Sequence, residues 1–312
     1  MARRASKVSL CAALGAALVV GTAACSAAHG TAGRTGTGQL RVVAGFYPLQ
    51  VLAERIGGDA VSVTNLAKPG AEPHDLELNP GQVASIADAA LVVYLKGFQP
   101  DVDKTVAQEA AKTAFDVTTV EPLASAATGD EDPAEAKALR GKDPHVWLDP
   151  TRLATIGDRL ADRLSQLDPG HTADFRSRTA ALRTDLEKLD KEYAEGLRSC
   201  ARRDVVTSHA AFGYLAKRYG LTQVAITGIS PEQEPSPQRL AEVAAQAKAH
   251  QATTIFFETL VSPKVAQALA NEVGARTAVL DPIEGLQPGS TADYLSVMRA
   301  NLATLRPALG CP

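Results

Sequence analysis

Short apolar runs alternate with amphipathic stretches twice along this chain, and one long amphipathic stretch separates the two series. Leu40–Ala44, Val61–Leu66, Ala90–Tyr94 and Phe115–Val117 read as strands, with helices expected over Leu49–Ile56, Pro80–Ala89 and Val102–Lys112. The alternation resumes later, with strands expected at Asp204–Thr207, Gln223–Ile226, Thr253–Phe257 and Arg276–Leu280. Helices there fall at Ala211–Tyr219, Pro237–His250, Pro263–Val273 and Asp293–Leu305. Strands separated by helices build parallel sheets, because a parallel partner needs a crossover connection. Between the two series, Thr151–Leu167 reads as a helix stopped by Asp168-Pro169-Gly170, and a longer one follows from Thr172 to about Arg198. Phe175, Leu182, Leu186, Leu189 and Tyr193 recur along it at helical spacings. The expected fold is α/β, with two Rossmann-like lobes carrying parallel sheets (residues 40–170 and 199–312) joined by one long linker helix (171–198).

The 312 residues suit two domains. A content of 45% hydrophobic and 21% charged residues excludes a disordered or collagen-like chain. Lys and Arg total 32 against 35 Asp and Glu, a net charge of −3 that leaves no basic surface for nucleic acid.

The N-terminus has its own logic. Arg3, Arg4 and Lys7 precede an apolar run from Val8 to Val20, too short for a membrane span but matching an export signal over residues 1–24. Thr22-Ala23-Ala24-Cys25 resembles the lipobox of bacterial lipoproteins, with Cys25 acylated, although Thr22 stands where Leu is usual. Cleavage by an ordinary signal peptidase is the alternative. Residues 25–39, rich in Gly, Ala, Ser and Thr, read as a flexible tether. Of the four cysteines, Cys200 and Cys311 remain for the folded body, and an even pair in an exported protein argues for a disulfide.

Six histidines are present, and three have company. His74 follows the second strand in Pro73-His74-Asp75-Leu76-Glu77. His145 lies in Asp143-Pro144-His145-Val146-Trp147-Leu148-Asp149-Pro150, and His209 ends the first strand of the second lobe. Asp281 follows the last strand. Ligands gather at the carboxyl ends of strands in open α/β sheets, so all four are expected at one cleft. Three imidazoles and a carboxylate suit tetrahedral zinc.

These segments, with Phe46-Tyr47-Pro48-Leu49, Ser208-His209-Ala210-Ala211-Phe212-Gly213-Tyr214 and Leu280-Asp281-Pro282, resemble the metal-binding class of solute-binding proteins of bacterial ABC importers. The resemblance runs from about residue 40 to the end. It implies two α/β lobes joined by a rigid helix, with the family's ligand positions falling on His74, His145, His209 and Asp281. His at the third position implies zinc rather than manganese. It further implies an extracytoplasmic, lipid-anchored monomer that delivers Zn2+ to a permease and ATPase. The stretch Glu121–Asp143 lacks the histidines that many zinc members carry there and holds Asp130, Glu131, Asp132 and Glu135 instead. It reads as a solvated loop, with weak cation capture as the sharper alternative.

Three rival readings remain. One is a manganese receptor of the same class, and another is a scaffold with structural metal. The third is a secreted zinc hydrolase, for which Glu72, Glu77 and Glu258 are candidate bases. Four protein ligands would close the metal site, whereas catalytic zinc keeps a position open for water. The chain also has no His-Glu-x-x-His helix.

Overall fold

The computed structural model describes residues 33–126, 139 and 141–312. The expected export signal, Cys25 and most of the acidic stretch after Glu121 lie outside the described residues.

The first sheet contains β1 (Leu40–Ala44), β2 (Val61–Asn65), β3 (Leu91–Tyr94) and β4 (Ala114–Asp116), all parallel, in the order β2-β1-β3-β4. Helices α1 (Tyr47–Gly57), α2 (Pro80–Ala87) and α3 (Pro100–Glu109) connect them. The second sheet repeats the plan with β5 (Asp204–Thr207), β6 (Thr222–Ala225), β7 (Thr254–Phe257) and β8 (Arg276–Val279), in the order β6-β5-β7-β8. In register, Val42 of β1 lies between Val63 and Leu91, and Val206 of β5 between Val224 and Ile255.

Both sheets are covered on both faces, which explains their apolar strands. Successive side chains leave a strand on opposite faces. Val42 accordingly joins the core that the lobes share, while Val43 joins an outer cluster with Ile86, Val92 and Val106. In the second sheet, Val205 faces the shared core and Val206 an outer cluster with Val243, Ile255 and Leu269.

The shared core is organised by α4 (Pro150–Leu167) and α5 (Thr172–Leu197). At 26 residues, α5 is roughly 39 Å long from the helical rise per residue. It buries Phe175, Leu182, Leu186, Leu189, Tyr193 and Leu197 along one stripe. Midway along the helix, Asp185 pairs with Arg55 of α1 at 2.6 Å. Late in it, the buried Tyr193 hydroxyl donates to the Met298 carbonyl at 2.6 Å, on the final helix α9 (Tyr294–Leu309). One continuous apolar cluster therefore runs from Leu40 to Leu309 along this helix. Helices α6 (Gly213–Tyr219), α7 (Pro237–Ala249) and α8 (Lys264–Val273) complete the second lobe.

Several boundaries differ from the sequence expectation, each for a local reason. Helix α1 starts at Tyr47 rather than Leu49 because Pro48 suits the first turn, where its missing N–H removes no bond. Helix α9 runs past Leu305 through Pro307 and stops at Gly310, whose φ of +66° provides a left-handed cap. The end of the expected tether is also folded: the Arg41 N–H donates to the Gly33 carbonyl at 2.7 Å, and Arg34 reaches Asp168 at 3.3 Å. Gly33 has a φ of +89°, and a Cβ there would lie 2.8 Å from the Ala90 backbone. Only glycine fits that docking point.

Cys200 and Cys311 form the expected disulfide across a sequence separation of 111, fastening the C-terminus to the end of α5. Among the described residues, no helix is long and apolar enough to cross a membrane.

Candidate metal centre

In both sheets the strand order reverses beside the first strand, between β1 and β3 and between β5 and β7, and ligand crevices form at such reversals. His74 sits on the β2–α2 connection. The preceding residue, Pro73, is held by Gln99, a buried amide after β3 that donates to the carbonyls of Gly45 (3.2 Å) and Pro73 (3.1 Å). The Glu72 carboxylate accepts the His74 N–H at 3.0 Å, and the Phe98 ring packs edge-on at 4.4 Å.

His145 precedes a single 3-10 turn, Val146–Leu148, that leads into α4. Oδ1 of Asp143 accepts the His145 backbone N–H at 2.9 Å and also meets its ring Nδ1 at 2.8 Å. This segment is tied to the other lobe by Tyr214 of α6. The Tyr214 hydroxyl donates to the Asp143 carbonyl at 3.1 Å and accepts the Ala124 N–H at 2.7 Å.

His209 lies just past β5. Its carbonyl accepts from Thr207 Oγ1 (2.7 Å) and Gln223 Nε2 (2.9 Å), and its Nδ1 meets Oε1 of Glu258 at 2.7 Å.

The fourth corner departs from the expectation. Glu284, rather than Asp281, joins the three histidines. Its Oε1 lies 3.4 Å from His74 Nε2, 3.0 Å from His145 Nε2 and 3.2 Å from His209 Nε2. The four residues offer ligand atoms all within 4.8 Å of one another, and all four are buried. Asp281 does something else. Its Oδ1 accepts the Ile283 N–H at 2.7 Å, its Oδ2 accepts from Thr259 Oγ1 at 2.9 Å, and Asn301 clamps its backbone from both sides. Ile283 has a φ of +60°, a left-handed conformation that a β-branched residue rarely adopts. Asp281 therefore builds the turn that swings Glu284 inward. Strain of this kind costs about 1–3 kcal/mol and persists where surrounding contacts hold it. The sequence signal for Glu284 was only a carboxylate three residues past the strand-end aspartate. Nothing in the sequence announced the backbone twist that selects it.

The electrostatics match a cation site. Burial opposes protonation of His209, but the carboxylates of Glu258 and Glu284 outweigh it and lift the ring to about 10. Burial alone would raise the Glu284 carboxyl, yet the three histidines hold it well below the usual range. Glu72 is pushed up to about 8, chiefly by burial. The Nδ1 atoms of His145 and His209 face carboxylates, so in the neutral rings these atoms carry the protons and each Nε2 presents a lone pair. Lone pairs aimed at a carboxylate oxygen repel unless a proton or cation stands between them. The Oε2 atom of Glu284 is buried and has no hydrogen-bond partner among the described residues. Three imidazoles and one carboxylate are the donor set of a closed tetrahedral site for a borderline dication.

Comparison with known proteins finds zinc-binding relatives. The profile of the ZnuA family, "Zinc-uptake complex component A periplasmic", matches residues 42–308. The zinc-binding lipoprotein AdcA of Streptococcus pneumoniae is 38% identical over 278 residues, covering 86% of this chain and 56% of AdcA. The chain thus spans little more than half of that relative. The high-affinity zinc uptake system protein ZnuA of Bacillus subtilis is 34% identical over 305 residues, covering 94% of both chains. Among solved structures, the Zn(II)-bound ZnuA-like domain of S. pneumoniae AdcA superposes with a TM-score of 0.73 at 36% identity. That match covers 87% of this chain and 99% of the domain.

Proposed function

Since the chain belongs to the family of the periplasmic zinc-uptake component A, we propose that it is an extracytoplasmic receptor that captures Zn2+ between its lobes and delivers it to an ABC-type importer. The convergence of three Nε2 atoms, drawn from both lobes, on one buried carboxylate oxygen at 3.0–3.4 Å carries this reading. His74 and His145 act from the first lobe, and His209 and Glu284 from the second. Ligands divided in this way make occupancy a latch between the lobes. Three nitrogen donors favour zinc over the harder, oxygen-preferring manganese. No chemical step is involved, because four protein ligands leave no position for an attacking water.

The partners follow from this role: a membrane permease and its ATPase, met by a monomeric receptor. Residues 1–24 serve as an export leader, and acylated Cys25 holds the protein to the outer face of the membrane. The tether extends to the point where Gly33 docks. Residues 40–170 and 199–312 act as the two lobes, and residues 171–198 as their linker.

The test strips the metal, dialyses the protein against equal zinc, manganese and iron, and measures bound metal by elemental analysis. About one zinc per chain is expected, as a single tetrahedral site requires, and it should be lost in His209→Ala. Manganese in its place would make the protein a manganese receptor. Absence of any bound metal would overturn the proposal.

A further inference from the structure

His209 follows β5 and Glu258 follows β7, so the two residues face each other across the point where the second sheet reverses its strand order. Glu258 is 2% exposed. Its Oε1 accepts from Ser208 Oγ at 3.0 Å and meets His209 Nδ1 at 2.7 Å, while its Oε2 is buried without a partner among the described residues. A buried carboxylate with one oxygen idle is a costly way to hold a loop. The first lobe accomplishes its own loop anchoring after β3 with a neutral amide, Gln99. The charge on Glu258 therefore calls for a role that an amide would not fill.

We propose that Glu258 is a positioning residue that sets metal preference: its anionic carboxylate holds His209 with the proton on Nδ1 and turns a strengthened Nε2 lone pair into the site. A charged partner on the far nitrogen fixes the ring and raises its basicity as a ligand. Nitrogen donor strength matters more to zinc than to the harder manganese, so the effect discriminates between the two ions. Asp143 stands in the same relation to His145, but it also holds that residue's backbone from two positions away. Glu258 reaches His209 from 49 positions away and bonds only its ring, which makes it the cleaner residue to test.

This inference rests on the zinc-receptor reading, and the experiment separates the two. Zinc and manganese affinities are measured on the full chain by competition with a chromophoric chelator, alongside the visible spectrum of the cobalt(II) form. Glu258→Gln keeps the shape and an acceptor oxygen but removes the charge. Zinc affinity should fall about 10- to 100-fold and manganese affinity less, with a shift in the cobalt bands. Ser208→Ala removes the other partner of Glu258 and leaves the charge, so zinc affinity should stay within about two-fold. Unchanged zinc affinity in Glu258→Gln would overturn the proposal, as would equal losses for both metals. A Ser208→Ala loss as large as that of Glu258→Gln would overturn it too, by marking the effect as packing. Failure of the unmodified protein to bind zinc would instead sink the receptor reading beneath it.

Discussion

Trp147 of the first lobe donates its indole N–H to the carbonyl of Pro282 in the second lobe at 2.7 Å, and both residues lie two positions from a metal-site residue, His145 and Glu284 respectively. Tyr294 of the second lobe closes the loop by donating its hydroxyl to the Trp147 carbonyl at 2.6 Å. The lobes are thus joined beside the site by hydrogen bonds between neutral groups.

Trp147 is the single tryptophan of the chain, and its ring centre lies 5.2 Å from that of His145. Zinc titration should therefore change its fluorescence and saturate at the binding stoichiometry. Trp147→Phe leaves the buried Pro282 carbonyl unpaired, a loss of about 1–3 kcal/mol in unfolding free energy. Zinc release to excess chelator should quicken in that variant. An unaltered release rate would show that this contact does not bear on the latch.

Glu284 and Asp281 should separate cleanly by mutation. Glu284→Gln removes an anionic ligand, and zinc affinity should fall by more than the roughly 10- to 100-fold typical of losing an outer partner. Asp281→Asn keeps an acceptor for the Ile283 N–H and should cost only about 1 kcal/mol of stability, with zinc affinity reduced far less. Isothermal titration and denaturant unfolding of the two variants check this, and the reverse ranking would restore Asp281 as the ligand.

The pH dependence follows from His209. Its folded value of about 10 lies above the ordinary 6.5, so in the metal-free protein the protonated ring adds stability that is fully present below about 6.5. That stability is lost as pH rises toward 10. Zinc needs the deprotonated ring, so its affinity should move oppositely, rising up to about tenfold per pH unit between 6 and 9. Calorimetry in buffers of different ionisation enthalpy should detect proton release on binding. A flat affinity profile would mean that no ligand proton is displaced.

The Cys200–Cys311 bond closes a separation of 111 residues. Replacing both cysteines by serine should cost roughly 2–5 kcal/mol, since the cross-link restricts the unfolded chain over a long loop. Urea unfolding measures the loss, and zinc affinity should be spared. A change in affinity would indicate that the C-terminal fastening reaches the metal site.

Much of this molecule was written in local pattern. The strand runs, the helices between them and the stripe from Phe175 to Tyr193 arise from periodicities that neighbouring residues carry by themselves. His74, His145 and His209 were legible because each sits in a short segment at the end of an element, and such ends converge in this architecture. The disulfide was legible from cysteine number and export alone. The fourth corner was not. Asp281 and Glu284 are three residues apart, both acidic, and both beyond the last strand. Their roles were assigned by an Ile283 held at positive φ, by Thr259 holding the Asp281 side chain, and by Asn301 reaching in from α9. The pairing of His209 with Glu258 likewise exists only because β5 and β7 are neighbours across a strand-order reversal. Sequence determines which residues can serve as ligands, through their chemistry and their place on an element. Which of them point inward, and what charge stands behind them, depends on backbone turns and strand neighbours that distant parts of the chain supply.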